Sequence, residues 1–432
     1  MQRFVLALLA LALAACAAHP AKPGAENPGP AIEPVAKAAT PDRACICEPV
    51  ETLPPLQIPD AAFYAPPLPA KPGEAPKKPE YGLLKPAEWN DLKGLEQDNL
   101  SAAWGALLQS CSVLKKQEFW HSACDAAGKL ANPNSASIRA LLREDFTPYQ
   151  VTNPDGSDSG LITGYYEPLL KGSRSRSERY RYPLYSLPDD LITVDLAGLY
   201  PELAHRRLRG RLDGNKLEPY YSRGEIEVVE SPLAGKELLW VDDIVDLFFL
   251  QIQGSGIIKL DSGESLHVGY ADQNGQPYQS IGKVLIDRGE LTADQASMQG
   301  IKQWARRNPD KLRDLLNSNP SYVFFRELPD GLSGPLGALG VPIAAERSLA
   351  VDTRYIPLGA PVFLSTTYPN NGNKPLQRLM LAQDTGGAIK GAVRADFFWG
   401  TGFEAGRRAG AMKQQGRMWV LLPKDWTPNG NK

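Results

Sequence analysis

Beyond residue 146 the chain consists largely of short apolar runs that end at glycine or proline, and this pattern constrains its fold most strongly. The strand-like runs occupy residues 161–168, 257–260, 265–270, 322–326, 361–364, 379–382 and 418–422. Helical spacing interrupts them only at about residues 242–249, 293–307, 309–318 and 404–412. Because strands and helices do not alternate regularly, we predict a mainly β protein with β-barrels and not a βαβ array.

A different pattern precedes the strands. Apolar residues at helical spacing begin near residue 88, and similar spacing continues to about residue 143; they include Leu92, Leu95, Leu100, Trp104, Leu107 and Leu108. The spacing predicts an N-terminal helical layer over residues 86–150.

The first residues are typical of an exported protein. The apolar run over residues 4–15 is too short to span a bilayer, so residues 1–15 are predicted to be a signal peptide. The run ends in Leu-Ala-Ala-Cys16, which resembles the lipobox of bacterial lipoproteins and makes Cys16 the expected lipidation site. The alternative is a plain signal peptide followed by an incidental cysteine. Ala17 favours the outer membrane, with the protein facing the periplasm.

The segment that follows the signal peptide has the composition of a tether. Residues 16–85 are dense in proline and alanine and contain few periodic apolar residues, so they cannot bury a core. If flexible, a chain of this length has a root-mean-square reach of about 45 Å. That reach would hold a folded domain at some distance from a membrane anchor.

The cysteines and histidines limit the cofactors. Apart from Cys16 the chain contains Cys45, Cys47, Cys111 and Cys124, which allow three disulfide connectivities in an oxidising compartment. The pair Cys111–Cys124 is one candidate disulfide. Only four histidines are present and none lies at metal-ligand spacing, so we expect no metal and no other cofactor.

The charge balance argues against nucleic acid as a partner. The formal net charge is −2, so no global field attracts the chain to a polyanion. Local basic runs at residues 173–176 and 205–211 are interpreted as solvated loops, and phosphate contacts are the alternative.

Three aspartates carry the candidate chemistry. Asp352, Asp384 and Asp396 each adjoin an apolar strand-like run in a setting rich in glycine and other small residues. Carboxylates at strand ends beside glycines can converge on one groove. Asp396 precedes the aromatic run 397–399, and apolar surroundings raise the pKa of a carboxyl group, as a proton donor requires. The alternative for each aspartate is a turn residue that caps its own backbone.

Five further motifs accompany the aspartates in a fixed order. They are GYYEP at 164–168, PYYSR at 219–223, QIQGSG at 251–256, YVFFR at 322–326 and GFEAGRRAG at 402–410. Together with the aspartates, these motifs resemble the membrane-bound lytic murein transglycosylase A family with its C-terminal three-aspartate domain. The resemblance covers about residues 160–422.

The resemblance implies a fold and its division into domains. A double-psi β-barrel is expected over residues 151–171 and 321–424, with a smaller glycan-binding β-domain inserted at residues 172–320. A long groove between the two domains accepts a glycan strand. The helical region at residues 86–150 is an addition found in only part of the family.

The resemblance also implies a reaction. The residue matching Asp396 protonates the glycosidic oxygen between N-acetylmuramic acid and N-acetylglucosamine, and then acts as base towards the muramyl C6 hydroxyl. The product is a 1,6-anhydro ring, and no water is consumed. Asp384 is expected to orient or tune Asp396. Asp352 is expected to be a structural hydrogen-bond acceptor.

Aromatic, amide and hydroxyl side chains are the groups that bind sugars. On this ground the predicted substrate-binding residues are Tyr165, Tyr166, Glu167, Gln251, Gln253 and Ser255. The alternative is ordinary packing, which is strongest for Tyr165 because adjacent strand residues point to opposite faces.

Two other functions compete with a lytic transglycosylase. One is a true hydrolase of the same glycan, which adds water and leaves a reducing muramic end. The other is a non-catalytic lipoprotein that holds peptidoglycan strands without cutting them. The expected partners are the glycan strands and the membrane, with no nucleic acid.

Overall fold

The computed structural model describes residues 81–426, except residues 197, 201, 202, 204–207 and 294. The predicted signal peptide, the lipidation site Cys16, the cysteines Cys45 and Cys47, and the tether as far as residue 80 lie outside the described residues. Within the described ranges, no helix combines the length and the apolar character needed to cross a membrane.

The described part of the chain is mainly β. Its strands are β1 (Leu84–Pro86), β2 (Phe146–Val151), β3 (Gly160–Glu167), β4 (Leu169–Ser173), β5 (Tyr182–Tyr185), β6 (Ile192–Val194), β7 (Leu208–Asp213), β8 (Lys216–Pro219), β9 (Glu237–Val241), β10 (Ser255–Leu260), β11 (Ser265–Gln273), β12 (Val323–Glu327), β13 (Ser348–Val351), β14 (Pro361–Thr367), β15 (Pro375–Asp384), β16 (Ala395–Thr401) and β17 (Lys413–Pro423). Its α-helices are α1 (Ser101–Leu114), α2 (Glu118–Lys129), α3 (Ser135–Asp145), α4 (Arg223–Ile226), α5 (Ile244–Gln253), α6 (Ile281–Asp287), α7 (Met298–Arg307), α8 (Pro309–Asn317) and α9 (Gly402–Ala411).

The first sheet contains eight strands in the order β1-β2-β17-β14-β15-β13-β16-β3. β17 also pairs with β3, so the pairings of the last six strands in that order form a closed ring. All four residues of β13 are buried, as expected for a short strand in the interior of a sheet. This strand runs parallel to β15 and antiparallel to β16.

The second sheet contains six strands in the order β12-β11-β10-β4-β9-β5, and a separate three-stranded sheet contains β6, β7 and β8. Residues 169–171 and 323–327 pair in this second sheet, although the sequence prediction assigned them to the barrel domain. Pro168 explains why the chain leaves the first sheet before residue 169. Proline has no N–H to donate to the β3 ladder, and the Pro168 carbonyl accepts from the Ile257 N–H of β10 at 2.9 Å.

The helices α1–α3 share a hydrophobic core with the first sheet, and a disulfide between Cys111 and Cys124 joins α1 to α2. The helical spacing that begins near residue 88 does not form one helix. Two 3-10 turns, Trp89–Asp91 and Leu95–Gln97, occupy this stretch, because Gly94 adopts the left-handed conformation with φ of 99°.

Two further details differ from the predicted helices. Leu108 was placed on the apolar face, but it is exposed because it lies on the outer side of α1. The helix predicted at residues 293–307 begins only at Met298. Ser297 caps it there, with its hydroxyl accepting from the Gly300 N–H at 3.2 Å.

A buried ion pair fastens the N-terminal region to the first sheet. The Asp98 carboxylate accepts hydrogen bonds from both terminal nitrogens of Arg347, at 2.8 and 2.9 Å. It also accepts from the Leu379 N–H at 2.7 Å, so the carboxylate is well satisfied although only 4% of its side chain is exposed. Arg347 donates in turn to the carbonyl of Leu379 at 3.0 Å. Both charges are therefore paired within the protein.

We expect Asp98→Ala to lower the free energy of unfolding by about 3–5 kcal/mol, because it leaves the Arg347 guanidinium buried and unpaired. Urea unfolding followed by circular dichroism measures the change. The matched control is Asp287→Ala, which removes the exposed pair with Lys283 and is expected to cost less than about 1 kcal/mol. Equal losses in the two variants contradict the role assigned to the buried pair.

Candidate active site

Two of the three aspartates flank one residue of the strand between them. Ala350 of β13 is in register with Asp384 of β15 on one side and with Asp396 of β16 on the other. Strands lie about 4.8 Å apart, so the two aspartate backbones are separated by about 10 Å. Residues in register share a face of the sheet. The pairing therefore brings together two carboxyl groups that lie 12 positions apart in the chain.

Strand β3 supplies the side chains next to Asp396. It runs parallel to β16, with Thr163 in register with Asp396 and Tyr165 in register with Phe398. The Thr163 hydroxyl donates to Oδ1 of Asp396 at 2.6 Å. The Tyr165 ring lies 5.1 Å from the Phe398 ring, centroid to centroid.

The Tyr165 hydroxyl lies near both carboxyl groups. Burial, and then the negative charges of Asp384 and Asp396, raise its pKa well above the ordinary value. The hydroxyl is shielded from solvent and faces Asp384 without forming a hydrogen bond of ordinary geometry. Tyr165 therefore contacts the aspartate site, whereas the other predicted groove residues do not.

Asp384 is held in place by the backbone. Its Oδ1 accepts from the Ala338 N–H at 3.0 Å and from the Thr385 N–H at 2.9 Å. Burial raises the pKa of Asp384 to about 6, and the charge of Asp396 acts in the same direction, while the hydrogen bonds oppose the increase. This carboxyl group consequently changes its protonation state close to neutral pH.

The environment of Asp396 also favours the neutral form. Burial raises its pKa, and the Thr163 hydroxyl and the Arg394 guanidinium oppose that increase. The sequence prediction attributed the increase to the aromatic run 397–399. Alternation along β16 leaves only Phe398 on the face of Asp396, while Phe397 and Trp399 pack against each other on the opposite face, 4.6 Å apart.

Asp352 occupies a different environment from the other two aspartates. Its carboxylate accepts from the Arg354 side chain at 2.6 Å and from the Gly391 N–H at 2.9 Å. Burial alone disfavours ionisation, but these hydrogen bonds and the Arg354 charge hold the pKa of Asp352 below its ordinary value. The arrangement is that of an ionised carboxylate that fixes a turn.

Glu167 lies at the point where the chain leaves the first sheet. Its Oε2 accepts from the Thr401 hydroxyl at 2.7 Å, and its Oε1 lies 3.8 Å from Nδ1 of His267. Only 1% of the residue is exposed, and burial raises the pKa of its carboxyl group. The structure therefore does not present Glu167 at an accessible surface.

The remaining predicted groove residues are engaged in local contacts. Tyr166 is buried with its hydroxyl 3.0 Å from the sulfur of Met298, and its N–H donates to Oε1 of Gln253 at 3.1 Å. Gln251 is also buried, and its Oε1 accepts a hydrogen bond from Arg223. Ser255 is partly exposed at the start of β10.

Sequence analysis missed Thr163 and Arg394, whose hydrogen bond and charge favour the ionised form of Asp396. Thr163 is separated from Asp396 by 233 positions, and only the parallel pairing of β3 with β16 brings them together. Arg394 lies two positions before Asp396, but the sequence does not indicate the direction in which its side chain points.

Two cavities, of about 480 and 540 Å³, lie away from this site, one beside Trp304 and Glu290 and the other beside Asp98 and Glu346. In the described residues, no group of three or more His, Cys, Asp or Glu side chains is arranged to hold a metal ion. The perturbed carboxyl groups, and not a cavity, identify the candidate site.

Two family models match the chain. Residues 161–326 match the model described as the MltA specific insert domain, and residues 347–422 match the 3D domain. The first match spans the second sheet together with β3, and the second spans Asp352, Asp384 and Asp396.

Known proteins resemble the chain in sequence and in structure. It is 36% identical to membrane-bound lytic murein transglycosylase A of Escherichia coli strain K12 over 280 residues, which are 63% of this chain and 68% of the relative. The structure is similar to MltA from Neisseria gonorrhoeae, at 40% identity and a TM-score of 0.72, covering 81% of this chain and 94% of that one. It is also similar to E. coli MltA with bound chitohexaose, at 28% identity and a TM-score of 0.60, covering 76% and 91%.

We expect Asp384→Asn to stabilise the fold at pH 8. The folded state holds the Asp384 proton more tightly than the unfolded chain does, so this group favours folding below about pH 4, and the contribution is lost as the pH rises to about 6. Asparagine cannot ionise, and it still accepts from the Ala338 and Thr385 N–H groups. The melting temperature of Asp384→Asn should exceed that of the wild type by about 2 °C or more at pH 8, and the two should be equal at pH 4.

Asp352→Asn is the matched control for this measurement. The pKa of Asp352 is lowered in the fold, so its stabilising contribution is present at neutral pH and is lost as the pH falls through the folded pKa. This variant should therefore melt below the wild type at pH 8. A loss of stability at pH 8 in both variants argues against a raised pKa for Asp384.

Proposed function

The chain belongs to the membrane-bound lytic murein transglycosylase A family and is a peptidoglycan lytic transglycosylase, and we propose that Asp396 is its general acid and base. The observation that carries the assignment is the pairing of Asp396 and Asp384 on either side of Ala350. Asp396 has a pKa raised by burial, and the residue as a whole is partly exposed. Both properties suit an acid that protonates a leaving oxygen.

The proposed reaction cleaves the β-1,4 bond between N-acetylmuramic acid and N-acetylglucosamine. Asp396 gives its proton to the glycosidic oxygen as the bond from that oxygen to the muramyl C1 breaks. The muramyl C6 hydroxyl oxygen then forms a bond to C1, and its proton passes to the Asp396 carboxylate. The acid is regenerated, and a 1,6-anhydromuramic end remains.

One acid suffices for this reaction because the substrate supplies its own nucleophile. The C6 hydroxyl belongs to the same sugar ring as C1, so it acts at a high effective concentration. A hydrolase needs a second group to activate water, at a distance that leaves room for that water. The bound chitohexaose in the E. coli relative supports a β-1,4-linked amino-sugar chain as the ligand class.

Asp384 is proposed to tune Asp396. The negative charge of Asp396 raises the pKa of Asp384, so ionisation of one carboxyl group affects the other, and this coupling is the proposed means of tuning. Tyr165 lies near both carboxyl groups and is proposed to contact the sugar beside them. The other proposed groove residues remain Tyr166, Glu167, Gln251, Gln253 and Ser255. The buried ones, Tyr166, Glu167 and Gln251, are proposed to support the groove without touching the sugar.

The finer description of the fold is also a proposal. The closed ring of six strand pairings supports a double-psi β-barrel within the predicted ranges 151–171 and 321–424, without residues 169–171 and 323–327, which pair in the second sheet. The second sheet supports an inserted glycan-binding domain within residues 172–320, extended by a few residues at each end. The shared core of α1–α3 and the first sheet supports a docked N-terminal helical layer over residues 86–150.

The relatives are named membrane-bound, which supports attachment of this chain to a membrane. We propose that Cys16 carries the lipid, that the outer membrane is the site of attachment, and that residues 16–85 extend the enzyme into the periplasm. Stable anchoring takes more than one acyl chain, and the bacterial lipoprotein modification supplies them.

We expect Asp396→Asn to lower the rate of glycan cleavage by at least about 10²–10⁴-fold, because asparagine matches the shape of aspartate but cannot deliver a proton. The measurement is mass spectrometry of 1,6-anhydromuropeptides released from purified sacculi, with circular dichroism to verify folding. Asp384→Asn should reduce the rate less. Near-normal turnover by folded Asp396→Asn sinks the assignment, and an inactive Asp384→Asn beside it moves the acid role to Asp384.

The same spectra separate the competing functions. Products heavier by one water indicate a hydrolase, and intact sacculi after incubation with folded wild-type protein indicate a non-catalytic binding protein.

For the anchor, we expect Cys16→Ser to abolish incorporation of labelled fatty acid and to release the protein from the membrane fraction. Incorporation of label at the wild-type level in this variant contradicts the lipidation site. Cleavage of sacculi by the purified variant should be unchanged, because the site lies in the folded part of the chain.

A further inference from the structure

The Asp396 carboxyl group is the last member of a chain of three polar side chains. Arg394 donates through Nη2 to Oγ1 of Thr163 at 2.9 Å, and Thr163 donates to Oδ1 of Asp396 at 2.6 Å. The guanidinium is itself fixed, since its Nη1 donates to the carbonyl of Ala395 at 2.5 Å and to that of Leu161 at 3.4 Å. These hydrogen bonds run from Arg394, directly before β16, to Thr163 of β3 and back to Asp396 of β16.

The direction of both hydrogen bonds follows from their chemistry. A guanidinium has donors and no acceptor, so the Thr163 oxygen must accept from Arg394. The hydroxyl has one proton, and that proton is therefore directed to Oδ1 of Asp396. Oδ1 is an acceptor whether Asp396 is ionised or neutral. In the neutral acid the proton must sit on Oδ2, which has no hydrogen bond to any residue in the described part of the chain.

We propose that Thr163 and Arg394 are positioning residues that hold the Asp396 carboxyl group with Oδ2 as its proton-transfer atom. The proposal rests on the proposed function, because it takes Asp396 as the acid. Without Thr163 the two oxygens are equivalent, and the proton occupies either one. With it, the proton remains on the oxygen left open to the substrate.

The same contacts assist the second half of the reaction. After proton donation Asp396 is ionised, and the Thr163 hydrogen bond and the Arg394 charge both stabilise that form. Burial opposes ionisation of Asp396, and Asp384 and Tyr165 are the other titratable groups near it. The positioning pair therefore makes release of the Asp396 proton easier than burial alone would allow.

The test is the pH dependence of sacculus cleavage by Thr163→Val, Thr163→Ser and Arg394→Gln. Activity requires protonated Asp396, so the rate falls as the pH rises through its pKa. Loss of the hydroxyl should move this basic limb upward by roughly half a pH unit or more, and should lower the maximal rate at least about tenfold. Thr163→Ser keeps the hydroxyl and should restore both values. Arg394→Gln should also move the limb upward.

The matched control is Thr152→Val. Thr152 is a buried threonine directly after β2, and its hydroxyl donates to the carbonyl of Leu83 at 2.9 Å, away from the aspartates. It should leave the rate and the pH limb unchanged. Co-sedimentation with sacculi and the melting temperature of every variant separate catalysis from binding and folding.

An unchanged basic limb in folded Thr163→Val overturns the proposal. So does Arg394→Gln if it raises the apparent KM with the limb in place, because Arg394 then contacts the substrate instead of positioning Asp396. If Thr163→Val does not fold, the position of the basic limb of the pH–rate profile of Arg394→Gln decides the question, and an unchanged limb again overturns the proposal. The proposed function fails separately, through an active Asp396→Asn or products without an anhydro ring.

Discussion

The register of β13 is the constraint on which the site depends. Ala350 lies opposite Asp384 on one neighbouring strand and opposite Asp396 on the other. A slip of one residue in either pairing turns one carboxyl group to the other face of the sheet and separates the pair. All four residues of β13 are buried, so a slip also moves close-packed side chains into spaces shaped for others. The packing of a four-residue strand thus determines whether the chemistry is possible.

The short apolar runs predicted a mainly β fold, and this is confirmed, as is the family resemblance drawn from the ordered motifs. The convergence of Asp384 and Asp396 followed from carboxylates at strand ends. Local conformation was less predictable, since Gly94 divides a stretch whose leucines have helical spacing. The neighbours of Asp396 could not be predicted, because the pairing of β3 with β16 joins positions more than 200 residues apart, and periodicity contains no information on such pairs.

The three aspartates share a residue type and differ in environment. Two hydrogen bonds and an arginine keep Asp352 ionised, whereas burial works against ionisation of Asp384 and Asp396. Asp352, two positions after Ala350, is therefore held as an ionised carboxylate, whereas the two carboxyl groups on either side of Ala350 have raised pKa values. The sequence around each aspartate looks alike, with glycines and small residues, so the division of roles arises from the partners that the tertiary structure brings to each carboxyl group.

The closed ring of strands imposes an order on how the chain can acquire its structure. The last strand, Lys413–Pro423, pairs with β2, β14 and β3, and it thereby joins the two ends of the described chain. Until this strand is synthesised and paired, the ring remains open and β3 has an unpaired edge. Such long-range closure is slow compared with helix formation. A chain without β17 therefore leaves the ring that contains the strands of Asp384 and Asp396 open.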